Sequence, residues 1–233
     1  MESDVEKLPM AVGSPALEAR ELYRFYHIGD DETLALRGVS MQVKSGEIVA
    51  VVGPSGSGKS TLLSCLAGLD EPDGGAVFVN GIRLTRRADR ERADIRATSI
   101  GILLQSGNLF DHLTVEQNVR LKMRFAGQRD AGRVREVLGL VGIEERRHAY
   151  PPQLSGGEAS RAGLAVALAP KPPILLADEP TGEVDGATEE RILALFDQHR
   201  QSGGAALIVS HSDAIAKRAD RIVHLQDGRV VDA

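Results

Sequence analysis

The nine residues Gly53-Pro54-Ser55-Gly56-Ser57-Gly58-Lys59-Ser60-Thr61 have the types and spacing needed to wrap a chain of phosphates. They satisfy the pattern G-x-x-x-x-G-K-[ST] in full. Glycines let the backbone curl until successive N–H groups point inward at phosphate oxygens, and the helix that follows presents its positive N-terminal end. In such a cradle Lys59 reaches the β- and γ-phosphates and the Ser60 hydroxyl ligates Mg²⁺. A carboxylate pair complements it. Asp178-Glu179 follow the apolar run Ile174–Ala177. At the C-terminal end of a strand, an aspartate can hold Mg²⁺ through water, and a glutamate on the opposite face can polarise an attacking water. Taken alone, Asp178-Glu179-Pro180 would read as a turn; paired with the phosphate loop, it reads as a hydrolytic site.

A third segment, Leu154-Ser155-Gly156-Gly157-Glu158, is locally a capping box, with Ser155 as N-cap and Glu158 at the third helical position. The same Ser155 hydroxyl and the Gly156 and Gly157 amides would form another helix N-terminus bare enough to hold an anion. A second anion site beside a phosphate loop suggests that two chains share each nucleotide.

These residues need elements to position them. Ile48–Val52 is apolar and ends at Gly53, and Thr61–Ala67 follows at helical spacing until Gly68. That is the strand, loop and helix a phosphate cradle requires. Ile174–Ala177 and Ala205–Val209 read as similar buried strands, with a helix over Ala187–Arg200 between them. Strands apolar throughout and separated by helices indicate a parallel sheet covered on both faces. Alternation around Leu17–Val49 and Ala76–Val79, with a turn at Asn80-Gly81, predicts an antiparallel layer. From about Ser106 to Pro152 strand signals are lacking, and Val115–Phe125 and Arg133–Val141 look helical. Arg221–Leu225, Asp227-Gly228 and Val230-Val231 predict a hairpin. The predicted fold class is α/β: a phosphate-loop parallel-sheet core with an antiparallel β-subdomain and an inserted helical subdomain at about 106–160. One domain over 17–233 follows a flexible segment over 1–16.

Composition narrows the function classes. The 233 residues are 42% hydrophobic and 26% charged, with a net charge of −5, which argues against broad binding to nucleic acid. The basic stretch Arg83–Arg96 also carries Asp89, Glu91 and Asp94 and reads as a solvated helix or loop. Cys65, the one cysteine, lies among Leu62, Leu63 and Leu66 and reads as core. The start, Met1–Pro15, lacks the basic-then-apolar layout of a secretion signal. The longest apolar runs are far too short to cross a bilayer, so a role at a membrane would need another chain to span it.

With these motifs in place, the sequence from about Leu17 onward resembles the nucleotide-binding subunit of ATP-binding-cassette (ABC) transporters. An aromatic before the first core strand, the phosphate loop, Gln105, Leu154–Glu158, Asp178-Glu179, Asp185 and His211 occur in the family's order. The resemblance implies an ATPase that closes as a homodimer around two ATP molecules with Mg²⁺, driving an integral membrane permease from the cytoplasmic face. It implies that Tyr26 stacks on adenine, with Tyr23 and Phe25 as the other aromatic candidates. Gly53, Ser55, Gly56, Ser57, Gly58, Lys59, Ser60 and Thr61 would hold the phosphates. Ser60, Gln105 and Asp178 would serve Mg²⁺, and Gln105 would also sense the membrane partner through the helical insert. Ser155, Gly156 and Gly157 would grip the γ-phosphate held by the opposite protomer, and Asp185 would cross the seam. Lys59, Glu179 and His211 would be catalytic. Ala35–Ser40, Leu66–Asp70, Gly107–Phe110 and Leu176–Gly182 resemble the branch serving lipoprotein release and macrolide efflux. Departures are Ala159-Ser160 where two glutamines are common, Val166 where an arginine is frequent, and Glu183-Val184 before Asp185. Two other readings stay open: an ABC ATPase without a membrane partner, and a phosphate-loop kinase, which would need neither Ser155–Gly157 nor a nucleotide-dependent dimer.

Overall fold

A computed structural model describes residues 15–28, 31–182 and 184–232. The flexible segment expected over 1–16 therefore lies mostly outside the described residues, as does Glu183. Pro15 and Ala16 already belong to the first strand, and Ala16 is buried.

Alternation at the start produces two long strands, β1 (Pro15–Ile28) and β2 (Asp31–Lys44), paired antiparallel. With β4 (Gly74–Val79) and β5 (Ile82–Arg83) they make a four-stranded antiparallel sheet in the order β2-β1-β4-β5. The core sheet has six strands in the order β10-β9-β3-β8-β7-β6. β3 (Ile48–Val52), β6 (Ile100–Leu103), β7 (Ile174–Asp178), β8 (Ala205–Val209) and β9 (Arg221–Gln226) run parallel, and β10 (Arg229–Asp232) returns antiparallel along β9.

The central strands β3 and β8, and β7 up to Asp178, are apolar because each feeds two hydrophobic cores. Val49, Val51, Leu176, Leu207 and Val209 face a core shared with the antiparallel sheet and with α1 (Lys59–Leu66). Their neighbours Ile48, Ala50, Leu175, Ala177, Ala206 and Ile208 face the other. That second core is closed by α3 (Val115–Phe125), α4 (Ala131–Leu140), α5 (Gly156–Leu168) and α6 (Gly186–Gln201). Leu62, Leu63 and Leu66 of α1 are fully buried. Each stabilises the sandwich by roughly 1.5–3 kcal/mol over exposure. Cys65 lies in the same core, and burial pushes its thiol up to about 12, which leaves it inert.

α2 (Asp89–Ser99), in the basic stretch, has no buried residue and is a solvated helix as expected. The insert is helical: α3 opens with a Thr114–Gln117 capping box, and α5 with the Ser155–Glu158 one. A short helix, α7 (Asp213–Arg218), follows β8. Among the described residues, no helix is long and apolar enough to cross a membrane.

One strand departs from the sequence reading. β6 carries Gly101, a residue that weakens a strand signal. Packing accounts for the glycine, since a Cβ there would sit 2.5 Å from the Ala167 carbonyl oxygen of α5 and 2.5 Å from Leu175 Cδ2. Gly101→Ala is therefore expected to destabilise the protein by at least about 2 kcal/mol in urea unfolding, through overpacking between α5 and the sheet.

Candidate nucleotide-binding site

The parallel strands point their C-terminal ends at one edge, where ligands of open α/β sheets bind. β3 delivers the phosphate loop there, β6 Gln105, β7 Asp178 and Glu179, and β8 Ser210 and His211. A cavity of about 590 Å³ at this edge is lined by Ser55, Gly56, Gly58, Lys59, Ser60 and Thr61. Tyr26, Gln105, Asp178, Glu179 and His211 complete its wall, as do Thr33, Ala35 and Arg37 of β2.

Within the loop, Gly58 is the N-cap of α1, with φ +100° and no side-chain cap. Only glycine takes that conformation readily. A Cβ would also run into the carbonyl oxygen of Ala35. With no cap and no acidic residue in its first turn, α1 presents free amides to an anion, so the residues fit a phosphate chain. Lys59 Nζ folds back to donate to the carbonyl oxygens of Gly53 and Pro54, both at 2.8 Å. Gly53 and Ser57 stand behind the cradle. The Ser57 carbonyl accepts from Gly228 N at 3.1 Å, and its hydroxyl is buried without a partner.

The Ser60 hydroxyl, the Gln105 amide oxygen and the Asp178 carboxylate offer hard oxygen donors to this one cavity. No group of three or more His, Cys, Asp or Glu among the described residues could cage a metal unaided. The three oxygens fit Mg²⁺, a hard cation held by one or two carboxylates together with water and phosphate.

Glu179 has a left-handed backbone, φ +47°, a conformation sparsely populated by residues other than glycine and concentrated at functional sites. Its Oε2 accepts from the Ser210 hydroxyl at 2.8 Å, and its Oε1 from His211 N at 3.1 Å. The His211 ring is 3.8 Å from the same carboxylate. Position and partners suit a group that polarises water at a phosphate.

Tyr26 is the aromatic of the 23–26 cluster that reaches the cavity. Its hydroxyl donates to Asp70 Oδ2 at 2.8 Å, and the Arg24 guanidinium lies 4.7 Å over its ring. Arg24 grips both Asp70 oxygens at 2.8 Å and Asp73 at 3.0 Å. Burial, followed by the Asp70 carboxylate, pushes the Tyr26 phenol up, so it stays a donor. Tyr23 instead packs under Gly38 and Gly74.

Ser155, Gly157 and Asp185 do not line the phosphate cavity. Gly156 lines a neighbouring cleft of about 690 Å³ that also reaches Gln105, Glu179 and His211. The α5 terminus is less bare than its sequence suggests. Ser155 Oγ accepts from Glu158 N, and Glu158 Oε2 accepts from Ser155 N at 2.8 Å, leaving the Gly156 and Gly157 amides outside the capping box. The Arg146 guanidinium, followed by the Ser155 amide, holds the Glu158 carboxyl down to about 2. Asp185 caps α6 through Thr188 N and Oγ1, both at 2.9 Å, and those bonds lower its carboxyl.

Sequence reasoning missed Ser210, the Arg24–Asp70 pair and the role of Asp227-Gly228. The first two are polar residues tied together only by the fold. Asp227-Gly228 reads as a turn and is one, but it lies at the rim of the cavity.

A parallel sheet, an uncapped glycine-rich loop and a carboxylate pair at the adjoining strand end define a phosphate-loop nucleotide hydrolase. Within that class the chain belongs to the ABC transporter family, whose model matches residues 36–182. It is an ABC ATPase cassette, an ATP-binding enzyme. An uncharacterized ABC transporter ATP-binding protein of Thermotoga maritima is 42% identical over 217 residues, covering 92% of this chain and 93% of that one. The macrolide export ATP-binding/permease protein MacB of Escherichia coli is 38% identical over 221 residues, covering 94% of this chain and 34% of MacB. The chain therefore spans about a third of MacB. Among solved structures, the dimeric post-hydrolysis state of the cassette MJ0796 bound to ADP and Pi superposes with a TM-score of 0.89 at 35% identity, covering 93% of this chain and 97% of that one.

Asp70 accepts from both Arg24 and the Tyr26 hydroxyl, so removing it leaves the half-buried Arg24 with Asp73 alone. Asp70→Ala is expected to lower unfolding stability by about 2 kcal/mol in urea titration.

Proposed function

We propose that two copies of this chain close on two ATP molecules, each held between the phosphate loop of one copy and the Ser155–Gly157 segment of the other. The observation behind this reading is the one-sided cavity. Its wall carries the phosphate loop, the carboxylate pair and His211, while Ser155 and Gly157 project from the α5 terminus outside it. The MJ0796 cassette, similar over nearly its whole length, forms a dimer.

In this reading Lys59 exchanges the Gly53 and Pro54 carbonyls for phosphate oxygens, and the loop amides at 53–61 hold the rest of the chain of phosphates. Tyr26 stacks on the base. Ser60, Gln105 and Asp178 would hold Mg²⁺, which when bound neutralises developing phosphate charge. Glu179 polarises the attacking water, and His211 contacts the γ-phosphate and keeps that water in line. Ser155, Gly156 and Gly157 add donors from the opposite copy, and Asp185 meets the seam. Most of the rate comes from positioning and charge neutralisation.

ATP then acts as a ligand with much higher affinity for the closed pair than for the separate subunits, and hydrolysis removes that preference. The free-energy difference is available to a partner. The name of MacB joins ATP binding to a permease, and we assign this chain the same kind of partner, an integral membrane permease engaged at the cytoplasmic face of the membrane. Nucleic acid is not a partner in this reading.

Glu179→Gln is the direct test. It should bind ATP, lose turnover by about 100-fold or more, and sediment as a dimer with ATP but not with ADP. Hydrolysis near the wild-type rate, or a monomer with ATP, contradicts the assignment.

A further inference from the structure

The carboxylate of Glu179 does not stand free; it accepts from a buried serine, Ser210. Ser210 directly follows β8 and is 1% exposed. Its backbone is sewn into the sheet, with its N–H donating to the Val51 carbonyl at 3.2 Å. Glu179 N in turn donates to the Val209 carbonyl at 2.9 Å. The Ser210 hydroxyl oxygen accepts from Ser212 N at 3.0 Å, so its own proton goes to Glu179 Oε2, 2.8 Å away. One step out the same logic repeats. Ser212 Oγ accepts from Ala214 N at 3.2 Å and donates to Glu189 Oε1 at 3.0 Å. Glu189 lies in the first turn of α6, the helix capped by Asp185.

We infer that Ser210 is a positioning residue for the hydrolytic reaction, fixing the Glu179 carboxylate by a hydrogen bond of set polarity, and that Glu189 sets Ser210 through Ser212. The inference rests on the reading of Glu179 as the group that polarises water. An ionised carboxylate on a strand end can rotate about its own side-chain bonds, and each misaligned rotamer takes the acceptor away from the water. Two donors, the Ser210 hydroxyl on Oε2 and His211 N on Oε1, hold both oxygens of the carboxylate and select one rotamer at the cavity wall. Glu189 matters because the loop carrying Ser210, His211 and Ser212 has to keep its shape, and the Ser212–Glu189 bond ties that loop to α6. The chain of bonds thereby connects the α6 terminus, where Asp185 sits, to the orientation of Glu179.

The test is steady-state hydrolysis by the purified protein at saturating ATP, with nucleotide affinity measured separately. Ser210→Ala should lower kcat by about 10- to 30-fold while KM for ATP and the affinity for ATP change by less than about twofold. Glu189→Ala should lower kcat by a smaller factor, and the double variant should be no slower than Ser210→Ala alone, because both substitutions act through one route. Ser210→Ala turning over at the wild-type rate, losing affinity and turnover together, or combining multiplicatively with Glu189→Ala overturns the inference. Glu179→Gln serves as the control that separates the two claims. If it is inactive while Ser210→Ala is normal, the base reading stands and the positioning role falls; if it is active, both fall.

Discussion

A loop that binds phosphate through its own amides has to be gripped from behind, because no side chain of the loop can aim those amides. Here the grip is backbone on backbone. Gly228 N donates to the Ser57 carbonyl, and the Gly228 carbonyl accepts from Arg37 N at 2.8 Å. The Leu225 carbonyl fills the space a side chain would need at Gly53, and the Ala35 carbonyl fills it at Gly58. The phosphate loop is therefore clamped between the β9–β10 turn and β2, elements nearly two hundred residues apart. Curvature of the loop, exposure of the α1 amides and the reach of Lys59 all depend on that clamp. The final hairpin is in this sense part of the nucleotide site, although it contributes no chemistry.

The same economy places the hydrolytic groups. Because β3, β8, β7 and β6 are adjacent and parallel, four loops leave one edge together, and Lys59, Gln105, Asp178, Glu179, Ser210 and His211 need no long connections to meet. The α5 terminus belongs to a different layer. Its cap is built from Ser155, Glu158 and Arg146, all on the helical insert. Arg161 of α5 then approaches Thr188 at 3.5 Å, so the insert touches α6 close to Asp185. Thr188 is also the residue through which Asp185 caps α6, so α5 and the start of α6 meet at one polar contact.

Legibility in the sequence followed physical cause. Phosphate loop, carboxylate pair and capping boxes are local patterns, and the structure places Lys59, Asp178, Glu179, Gln105 and His211 around one cavity as their order implies. α3 runs over Val115–Phe125, the span its spacing suggests, because its apolar face has helical period. β6 escaped because its glycine serves helix packing and not the strand. α7 has only six residues, too few for a periodic signal. Ser210, Asp70 and Glu189 escaped for another reason: their roles are contacts between distant segments, and nothing in their local sequence marks them. Glu183, one of the departures from the family pattern, lies outside the described residues, whereas Ala159 and Ser160 line the cleft beside Glu179, with Ser160 Oγ donating to the Pro180 carbonyl at 3.3 Å.

If each ATP needs the phosphate loop of one chain and the α5 terminus of another, two inactive variants should restore each other's activity. Lys59→Ala disables a loop and Ser155→Arg blocks an α5 terminus, so each variant alone should be inactive. In an equal mixture, half of the dimers carry one site built from the two intact halves. Hydrolysis should then return to about a quarter of the wild-type rate, given an isologous two-fold pairing. A mixture no more active than its separate components would contradict it, as would full activity from Ser155→Arg alone.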